Sequence, residues 1–493
     1  MRRIFALLAC AALLLTGCSA VTVPAQGEAG PISEVELTSA VTSSVNATTA
    51  PMFIEETSMD EEIKTIEPEQ EPNTFAELST ATNFLNITTT RADDTTTRPV
   101  TINITTTRPV AATTRLTATT TRPAVPAPAG EMRAAWISYF ELRQPSGGIS
   151  EAAFRTKYDA LFKQIADFGI STVFLHVFPF SDAIWPSALA PWSHILTGTQ
   201  GRDPGFDPLR IFCQLADKHN LALHAWFNLL RVTEGSATAW LAQDNRAAPH
   251  IASGDGRVRL AGPGWYWNPA VPENHALILG CIREILENYP VAGIHIDDYF
   301  YPTTAPEFDA EQFAAYRARG GTKSMADWRR EVIDTLVRSI YRTAKGIKPN
   351  AIVSISPSGN ANKNYNEMYA DVALWMREPG YADWIIPQIY FGFEHPLLPF
   401  ERTARQWAAL PRHSGLRLFA GLANYKVGRD DRWAGAARDE WLRSNDIIAR
   451  QVRDLRTIQG YGGFVFYSAN ALFGSSLTEI AKQERDNLQL LLN

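Results

Sequence analysis

The sequence predicts an α/β protein, a (β/α)8 TIM-type barrel preceded by a disordered N-terminal tether. Two observations carry this prediction. After Glu131 the composition changes abruptly to aromatic, periodic sequence, and the segment 131–493 has a length typical of one such barrel. Within it, eight strand-like segments alternate with helical patterns, which favours a closed parallel barrel over an open sheet.

Residues 1–17 are predicted to be a lipoprotein signal peptide. Two arginines precede the apolar stretch Ile4–Leu15, which is too short for a stable membrane span. The small residues Thr16 and Gly17 before Cys18 resemble the bacterial lipoprotein cleavage box, whose cysteine becomes the lipidated N-terminus. The alternative is a plain cleaved signal. Both place the protein outside the cytoplasm, and the first anchors it to the cell membrane.

Residues 18–130 are predicted to be a disordered linker. This segment is rich in Thr, Pro, Ala and Glu and has few aromatic residues, so it cannot bury enough apolar surface to fold. Its second half repeats Thr-Thr-Thr-Arg-Pro at Thr95, Thr105 and Thr119. Such repeats give an extended spacer.

The predicted barrel strands share short apolar, β-branched or aromatic character and end in polar or turn residues. They are Arg133–Ser138, Thr172–Val177, Ala222–Phe227, Ala292–Asp297, Ile352–Ser356, Trp384–Ile389, Leu416–Gly421 and Gly463–Tyr467.

Helical periodicity separates these strands. One apolar face runs through Phe154–Ile165 and stops at Gly169, and another runs through Trp328–Ile340 before Gly346. The last helix is predicted to start at Ser476–Glu479, a capping-box pattern.

Two strand-to-helix connections, Phe178–Phe206 and Asn228–Val271, are long. Both follow strand ends and are expected to form walls of the catalytic face, because loops at that end of a barrel carry its functional residues.

The run Gly293–Pro302 is the most informative motif, because an apolar strand ends there in two carboxylates. Alternation along the strand places His295 and Asp297 on the inner side and turns Asp298 away or into the loop. A carboxylate at a barrel mouth can act as nucleophile, as base or as stabiliser of an oxocarbenium-like transition state, with His295 as a hydrogen-bond donor. The alternatives are a loop-capping or Arg-paired acid, or a His-Asp-Asp metal site.

Other strand ends also deliver polar side chains. His224 and Asn228 share a side of the third predicted strand, and Arg231 follows them at a loop entrance. A lone histidine in a strand is often a core residue, but the nearby Asn228 and Arg231 favour a contact with substrate. On the sixth strand, Gln388 and Tyr390 are placed to bind hydroxyl groups. The presumed mouth loops are also rich in aromatic residues, which suits a sugar cleft.

Composition excludes several classes of function. The formal net charge of −6 comes with no basic patch of the kind that nucleic acid requires. No Cys or His spacing matches a metal site, and no cofactor is implied. Cys213 and Cys281 lie in helix-like patterns, and we expect two buried thiols, with a disulfide as the alternative.

From Met132 to about Tyr467 the chain resembles the bacterial glycosyl-hydrolase-like family 10, which is related to glycoside hydrolases with barrel catalytic domains. The resemblance rests on motifs in the family's order: Met132–Trp136, Pro191–Ser193, Leu196–Gly198, Asp207–Leu209, His224–Asn228, Gly293–Pro302, Asp327–Arg330, Ile355–Pro357 and Pro387–Tyr390. It departs at Leu229 and Leu230, where the family more often has Pro before Tyr and Arg. The resemblance implies hydrolysis of glycosidic bonds, with the glycan strands of the cell wall as a fitting substrate.

Glycoside hydrolysis usually needs two carboxyl groups, roughly 5 to 10 Å apart. We expect Asp297 to be the main catalytic carboxylate and Asp298 to be its partner or the residue that orients it. Glu234 and Glu394 are the other candidates for the second acid, with Glu141 as a weaker one, so retention or inversion of configuration stays open.

The sequence thus predicts a membrane-tethered extracytoplasmic glycoside hydrolase that acts on a polysaccharide, with peptidoglycan glycan favoured. The residues expected to line the substrate site are His224, Asn228, Arg231, His295, Tyr301, Gln388 and Tyr390. Three rivals stay open at this point: a non-catalytic glycan-binding lipoprotein on a barrel scaffold, a surface protein whose aromatic face docks a partner, and a metal-dependent ester or amide hydrolase.

Overall fold

The computed structural model describes residues 130–493 of the chain. The predicted signal peptide, the lipidation at Cys18 and the linker lie outside the described residues and stay predictions. In the described part of the chain, no helix has both the length and the apolar character needed to cross a membrane.

The strands are numbered along the chain. They are β1 Met132–Ile137, β2 Thr172–Phe178, β3 Ala222–Phe227, β4 Val258–Ala261, β5 Gly264–Trp267, β6 Gly293–Ile296, β7 Ile352–Ile355, β8 Trp384–Ile385, β9 Arg417–Leu422 and β10 Tyr461–Phe466.

The α-helices are numbered in the same way, and short 3-10 turns are left unnumbered. They are α1 Tyr139–Leu142, α2 Glu151–Asp167, α3 Pro208–Lys218, α4 Ala248–Ser253, α5 Pro272–Asn288, α6 Ala310–Ala318, α7 Met325–Ile347, α8 Ala361–Asn366, α9 Val372–Arg377, α10 Phe400–Ala409, α11 Glu440–Arg443, α12 Ile447–Thr457, α13 Asn470–Phe473 and α14 Glu479–Leu492.

Eight parallel strands close into a barrel in the order β1-β10-β9-β8-β7-β6-β3-β2. This confirms the predicted (β/α)8 fold, and each of the eight predicted segments overlaps one barrel strand. The fourth predicted strand, which leads into the two carboxylates, is β6 and lies between β3 and β7. In this register Trp226 of β3 is opposite His295 of β6, so the side chains of these two strands meet inside the barrel.

Two apolar cores hold the fold together. A large one packs the strands against the surrounding helices. A small one fills the inside of the barrel, where large rings from neighbouring strands interdigitate as expected for a packed TIM barrel. Its members are Met132, Ala134, Trp136, Phe174, Trp226, Ile386, Phe419 and Val465.

Helix ends follow the sequence signals in part. Gly169 comes directly after the C-cap of α2 and has a φ of +83°, the left-handed conformation that glycine adopts without a Cβ penalty. Gly346, in contrast, lies inside the last turn of α7. The last helix begins at Glu479 rather than Ser476, because the Thr478 side chain accepts the hydrogen bond of the Ala481 amide and so caps it there.

The long connection after β3 contains secondary structure that the sequence did not predict. Helix α4 is followed by the antiparallel hairpin of β4 and β5, each only four residues long. Strands this short show too little alternation to be recognised. The connection after β2 holds only the 3-10 turn His194–Leu196.

Ion pairs and a hydrogen bond hold the start of β1 at the end of the barrel opposite to the strand C-termini. Glu131 forms ion pairs with Arg133 at 3.0 Å and with Arg456 at 2.8 Å, and the Arg133 guanidinium donates to the carbonyl of Leu492 at 2.7 Å. The first strand is therefore tied to the last helices of the chain.

Cys213 and Cys281 are both buried and unpaired, which confirms the expected thiols. Burial raises the pKa of the Cys213 thiol to about 12 and moves that of Cys281 in the same direction. Neither group is suited to act as a nucleophile.

Candidate active site

Asp297 lies at the C-terminal end of β6, the end at which TIM-barrel enzymes carry their chemistry. Its side chain is 3% exposed and turns into the barrel mouth. The indole Nε1 of Trp226 donates to Oδ2 of Asp297 at 2.9 Å, and the backbone amide of Tyr299 donates to Oδ1 at 3.3 Å. The carboxyl group is therefore held in place by two neighbouring elements.

The proton affinity of Asp297 is unusual for an aspartate. Burial raises its pKa to about 7, and the neighbouring Asp298 adds to the increase, while the Trp226 hydrogen bond and the Arg231 charge act in the opposite direction. Near neutral pH this carboxyl group is present in both protonation states, as a general acid or base requires.

Asp298 is half-buried beside Asp297. Burial raises its pKa, and Lys363 and a hydrogen bond from Gln388 oppose that rise. Gln388 Nε2 also donates to the Ser356 carbonyl at 2.9 Å, which fixes the amide between β7 and β8. The structure thus brings Gln388 to the acid pair and gives the two neighbouring carboxyl groups different surroundings.

His176 forms part of the floor of the mouth and was missed from the sequence. Its ring stacks on the indole of Trp226 at 3.8 Å between centroids and at an interplanar angle of 12°. The side chain is 1% exposed, neither ring nitrogen has a hydrogen-bond partner, and burial moves its pKa well below the usual value. The available signal was its inward position on β2, two residues after the core residue Phe174.

Arg231 is a nearly buried cation at the same mouth. Its guanidinium lies 4.5 Å from the ring centre of Phe180, 4.7 Å from that of Tyr299 and 5.4 Å from that of Tyr139. Its Nη1 donates to the Tyr299 hydroxyl at 3.4 Å. The charge is thus stabilised by aromatic faces and by the nearby acid pair, whose pKa values it lowers.

Tyrosine hydroxyl groups line the rest of the mouth. The ring of Tyr390 lies 5.9 Å from that of Tyr467 and 6.0 Å from that of Tyr425. Burial raises the pKa of Tyr390 well above the usual range, and the acid pair adds to this effect. Burial likewise raises the pKa of Tyr299. These phenols stay neutral and can donate hydrogen bonds.

The structure places His295 below the mouth, in the barrel interior. Trp136 Nε1 donates to its Nε2 at 2.9 Å, Ser356 Oγ lies 3.0 Å from the same nitrogen, and Ser354 Oγ lies 2.9 Å from Nδ1. Because Trp136 is only a donor, Nε2 must accept and the proton belongs on Nδ1. Both nitrogens are occupied and the residue is fully buried, so His295 does not reach a bound substrate.

His224 also lies in the interior rather than at the mouth. It is 1% exposed, and its ring packs 5.0 Å from Phe174 and 5.1 Å from Trp384. Burial lowers its pKa to about 3, so the ring is neutral. Alternation along the sequence predicted the correct side of β3 for His224. The residue lies one pleat deeper in the barrel than the predicted substrate site.

Tyr301 lies in a separate buried cluster. Its ring packs 5.3 Å from that of Tyr369 and 5.2 Å from the guanidinium of Arg329, which pairs with Asp309 at 2.5 Å. The residue is 3% exposed and supports the loop after β6 rather than the mouth. Pro302 follows it directly, within the loop after β6.

Asn228 serves the turn that carries Arg231. Its Oδ1 accepts the Arg231 backbone amide at 3.1 Å, and its backbone N–H donates to the Phe178 carbonyl at 3.0 Å. The side chain is fully buried, so it positions the loop after β3.

The other candidates for the second carboxylate have partners of their own and do not adjoin Asp297 in the chain. Glu394 is exposed and pairs with Arg443. Glu141 accepts the Ser138 amide at 2.7 Å and so caps α1. Glu234 is exposed and accepts a hydrogen bond from the Tyr139 hydroxyl. Asp298 is therefore the carboxylate next to Asp297 that has no capping or ion-pair duty.

Asp371 and Asp383 have structural roles. Asp371 caps α9, and Asp383 accepts the Val353 amide at 2.7 Å. Over residues 130–493, no three His, Cys, Asp or Glu side chains are grouped in a way that could hold a metal ion.

A protein family and several known proteins are similar to this chain. The sequence model of the family described as Glycosyl hydrolase-like 10 matches residues 131–435. Glycosyl hydrolase YngK of Bacillus subtilis (strain 168) is 34% identical over 321 residues, which cover 61% of this chain and 62% of that protein. Glycosyl hydrolase DigH of Escherichia coli (strain K12) is 35% identical over 281 residues, which cover 53% of this chain and 63% of that protein.

The chain thus spans about three fifths of the length of the curated relatives it matches. Among solved structures, the PgaB (BpsB) glycoside hydrolase domain from Bordetella bronchiseptica is similar, with a TM-score of 0.47 and 14% identity. That match covers 73% of this chain and 99% of the other.

Proposed function

The chain belongs to the glycosyl hydrolase-like 10 family, and from this membership and the acid pair at the barrel mouth we propose that it hydrolyses glycosidic bonds of a polysaccharide. One observation carries the proposal. Asp297 lies at the C-terminal end of a barrel strand, held by Trp226, with a pKa raised to about 7 beside a second carboxyl group. Raised proton affinity next to another carboxylate is the arrangement that glycoside hydrolysis uses.

In the proposed reaction Asp297 is the main catalytic residue and Asp298 is its partner. Protonated Asp297 donates its proton to the glycosidic oxygen as the bond to the sugar carbon breaks. The ionised Asp298 stabilises the positive charge that develops on the sugar ring. The water that completes hydrolysis adds its oxygen to that carbon and returns a proton to the carboxylate pair. No cofactor is part of this scheme.

The substrate contacts come from the residues that the structure brings to the mouth. Arg231, Gln388 and Tyr390 surround the acid pair and supply hydrogen-bond donors for sugar hydroxyl groups. The rings of Tyr299, Tyr390 and Tyr467 are half-buried, and such rings suit the C–H faces of pyranose rings. Asn228 acts one step away, through the loop that carries Arg231.

We further propose that the substrate is the glycan of peptidoglycan and that the protein works outside the cytoplasm on a membrane lipid anchor. The sequence of residues 1–130 supports this location, because a signal peptide with a cysteine cleavage box precedes a spacer-like segment. A lipid-anchored enzyme on a spacer stays close to the cell wall.

The test is release of reducing ends from purified peptidoglycan glycan strands by the protein and by its Asp297→Asn variant. The expected result is activity in the parent protein and its loss in a variant whose circular dichroism spectrum is unchanged. If both proteins bind the strands equally and neither releases reducing ends, the protein is a glycan-binding module and the hydrolase proposal is wrong.

A further inference from the structure

The loops after β2 and β3 are fastened together by a buried polar network. Gln200 Nε2 donates to Asp182 Oδ2 at 3.1 Å, and Gln200 Oε1 accepts from Asn245 Nδ2 and from the Ala242 amide, both at 3.0 Å. Asp182, Gln200 and Asn245 are each at most 5% exposed. A buried network of polar side chains that hydrogen-bond to one another is rigid.

This network holds up two aromatic rings at the rim of the mouth. His194 Nδ1 lies 3.2 Å from Asp182 Oδ2, and the His194 ring contacts the Trp240 indole edge-on at 4.9 Å. Trp240 Nε1 donates to the Ala237 carbonyl at 3.0 Å, which fixes the orientation of the indole. Trp240 is 37% exposed, and it is the one exposed tryptophan in the described part of the chain.

A continuous line of contacts leads from Trp240 to the acid pair. The His194 ring lies 5.2 Å from that of Phe180, Phe180 lies 4.5 Å from the Arg231 guanidinium, and Arg231 lies 4.7 Å from the Tyr299 ring. The Tyr299 amide in turn donates to Asp297. The exposed indole is thus several side chains away from the acid pair, along one wall of the same mouth.

We infer that Trp240, supported by His194, forms a remote glycan-binding subsite. It takes a pyranose ring of the same polysaccharide strand, several sugar units from the bond that is cut. An indole that is 37% exposed and held by a hydrogen bond and a ring contact can bind the C–H face of a sugar with little loss of conformational freedom. The inference rests on the proposed function and makes it more specific, because it requires a long strand as substrate.

The test compares binding of long and short glycan strands in the Asp297→Asn background, where no cleavage occurs. The probes are strands from purified peptidoglycan, fractionated by length, and the shortest fraction is the disaccharide unit. Trp240→Ala should weaken binding of the long fraction about tenfold and leave binding of the disaccharide unchanged, since loss of one aromatic stacking contact costs about 1.4 kcal/mol. Trp240→Phe keeps a ring and should restore most of the affinity.

Tyr365→Ala is the matched control, because Tyr365 is similarly exposed, at 42%, but packs against Arg330 outside this line of contacts. It should leave binding of both fractions unchanged. Equal affinity of Trp240→Ala and its parent for long strands would overturn the subsite. If the protein with Asp297 intact still releases reducing ends in that case, the proposed hydrolysis stands. If the Asp297→Asn protein binds no fraction and the protein with Asp297 intact cleaves none, the hydrolase proposal and the subsite both fail.

Discussion

His295 and Asp297 occupy successive inward positions of the same strand end, yet they belong to different regions of the molecule. His295 is fully buried and has partners on both ring nitrogens. Asp297, one pleat higher, keeps an unusual proton affinity and faces the mouth. The difference shows that one step along a barrel strand separates a residue that holds the fold from one that can do chemistry.

The neighbouring strand β3 shows the same division. His224 packs between rings in the dry interior, whereas Trp226 reaches Asp297 with its indole N–H. Inward alternation identifies both residues as interior. The two residues differ in depth. His224 fills the barrel interior, whereas Trp226 lies nearer the mouth and lowers the pKa of Asp297.

The largest effect is expected at the mouth. Asp297→Asn should lower kcat about a thousandfold, because an amide cannot donate the catalytic proton. Reducing-end release measures this loss, and a melting curve shows that the fold persists. A variant that keeps more than about a tenth of the activity would move the catalytic role to another residue.

The raised pKa of Asp297 also predicts how Asp297→Asn changes the stability of the fold. The folded-state pKa of Asp297 is raised, so its contribution to stability is complete below about pH 4 and is lost as the pH rises through about 7. Asparagine does not ionise. Asp297→Asn should therefore be more stable than the parent above about pH 7, and the gain should disappear in acid. Denaturant unfolding at several pH values measures it, and a gain independent of pH would contradict the raised pKa.

Substitution of the interior residue His295 should lower the stability of the fold and leave the pH dependence of activity unchanged. His295→Leu leaves Trp136, Ser354 and Ser356 without their partner, which we expect to cost about 3 kcal/mol of unfolding free energy. The pH dependence of kcat/KM in the remaining folded protein should keep its midpoint. A shifted midpoint would mean that His295 takes part in the chemistry, and the division between core and mouth would be wrong.

Trp226→Phe tests the link between the two regions. It removes the N–H that holds Asp297 and should raise the pKa of that carboxyl by about one unit, since a hydrogen bond to a charged group contributes about 1.5 kcal/mol. If Asp297 acts as the acid, the alkaline limb of the pH profile moves to higher pH. An unchanged limb would show that another group limits the rate there.

The smallest effect is expected at His176, whose ring supports Trp226 but whose nitrogens bind nothing in the described structure. His176→Phe keeps the stack and removes two buried unpaired nitrogens. It should stabilise the fold by about 1 kcal/mol and leave the pH profile unchanged. His176→Ala removes the stack and should shift the profile in the same direction as Trp226→Phe. A shift with Phe as well would assign the role to the imidazole nitrogens.

The fold was predictable because the signals are periodic. Eight strand segments and their helices were visible from alternation and glycine stops, and the motif that ends in Asp297 and Asp298 stood out from the composition of its strand. The roles of His224 and His295 were not predictable, because alternation reports a side and not a depth. The role of Tyr301 was not predictable either, because it lies on the loop after β6, where strand alternation no longer applies. His176 and Trp240 were missed since their meaning depends on contacts with residues from other loops.

The ion pairs of Glu131 at the beginning of β1 determine where a pulling force on this end of the barrel acts. The described chain enters β1 through Gly130 and Glu131, where the ion pairs of Glu131 with Arg133 and Arg456 tie the first strand to the last helices. Tension applied through the N-terminal segment is therefore borne at the closed base of the barrel. The acid pair lies at the other end of the barrel, so a force applied at Glu131 does not act directly on the cleft.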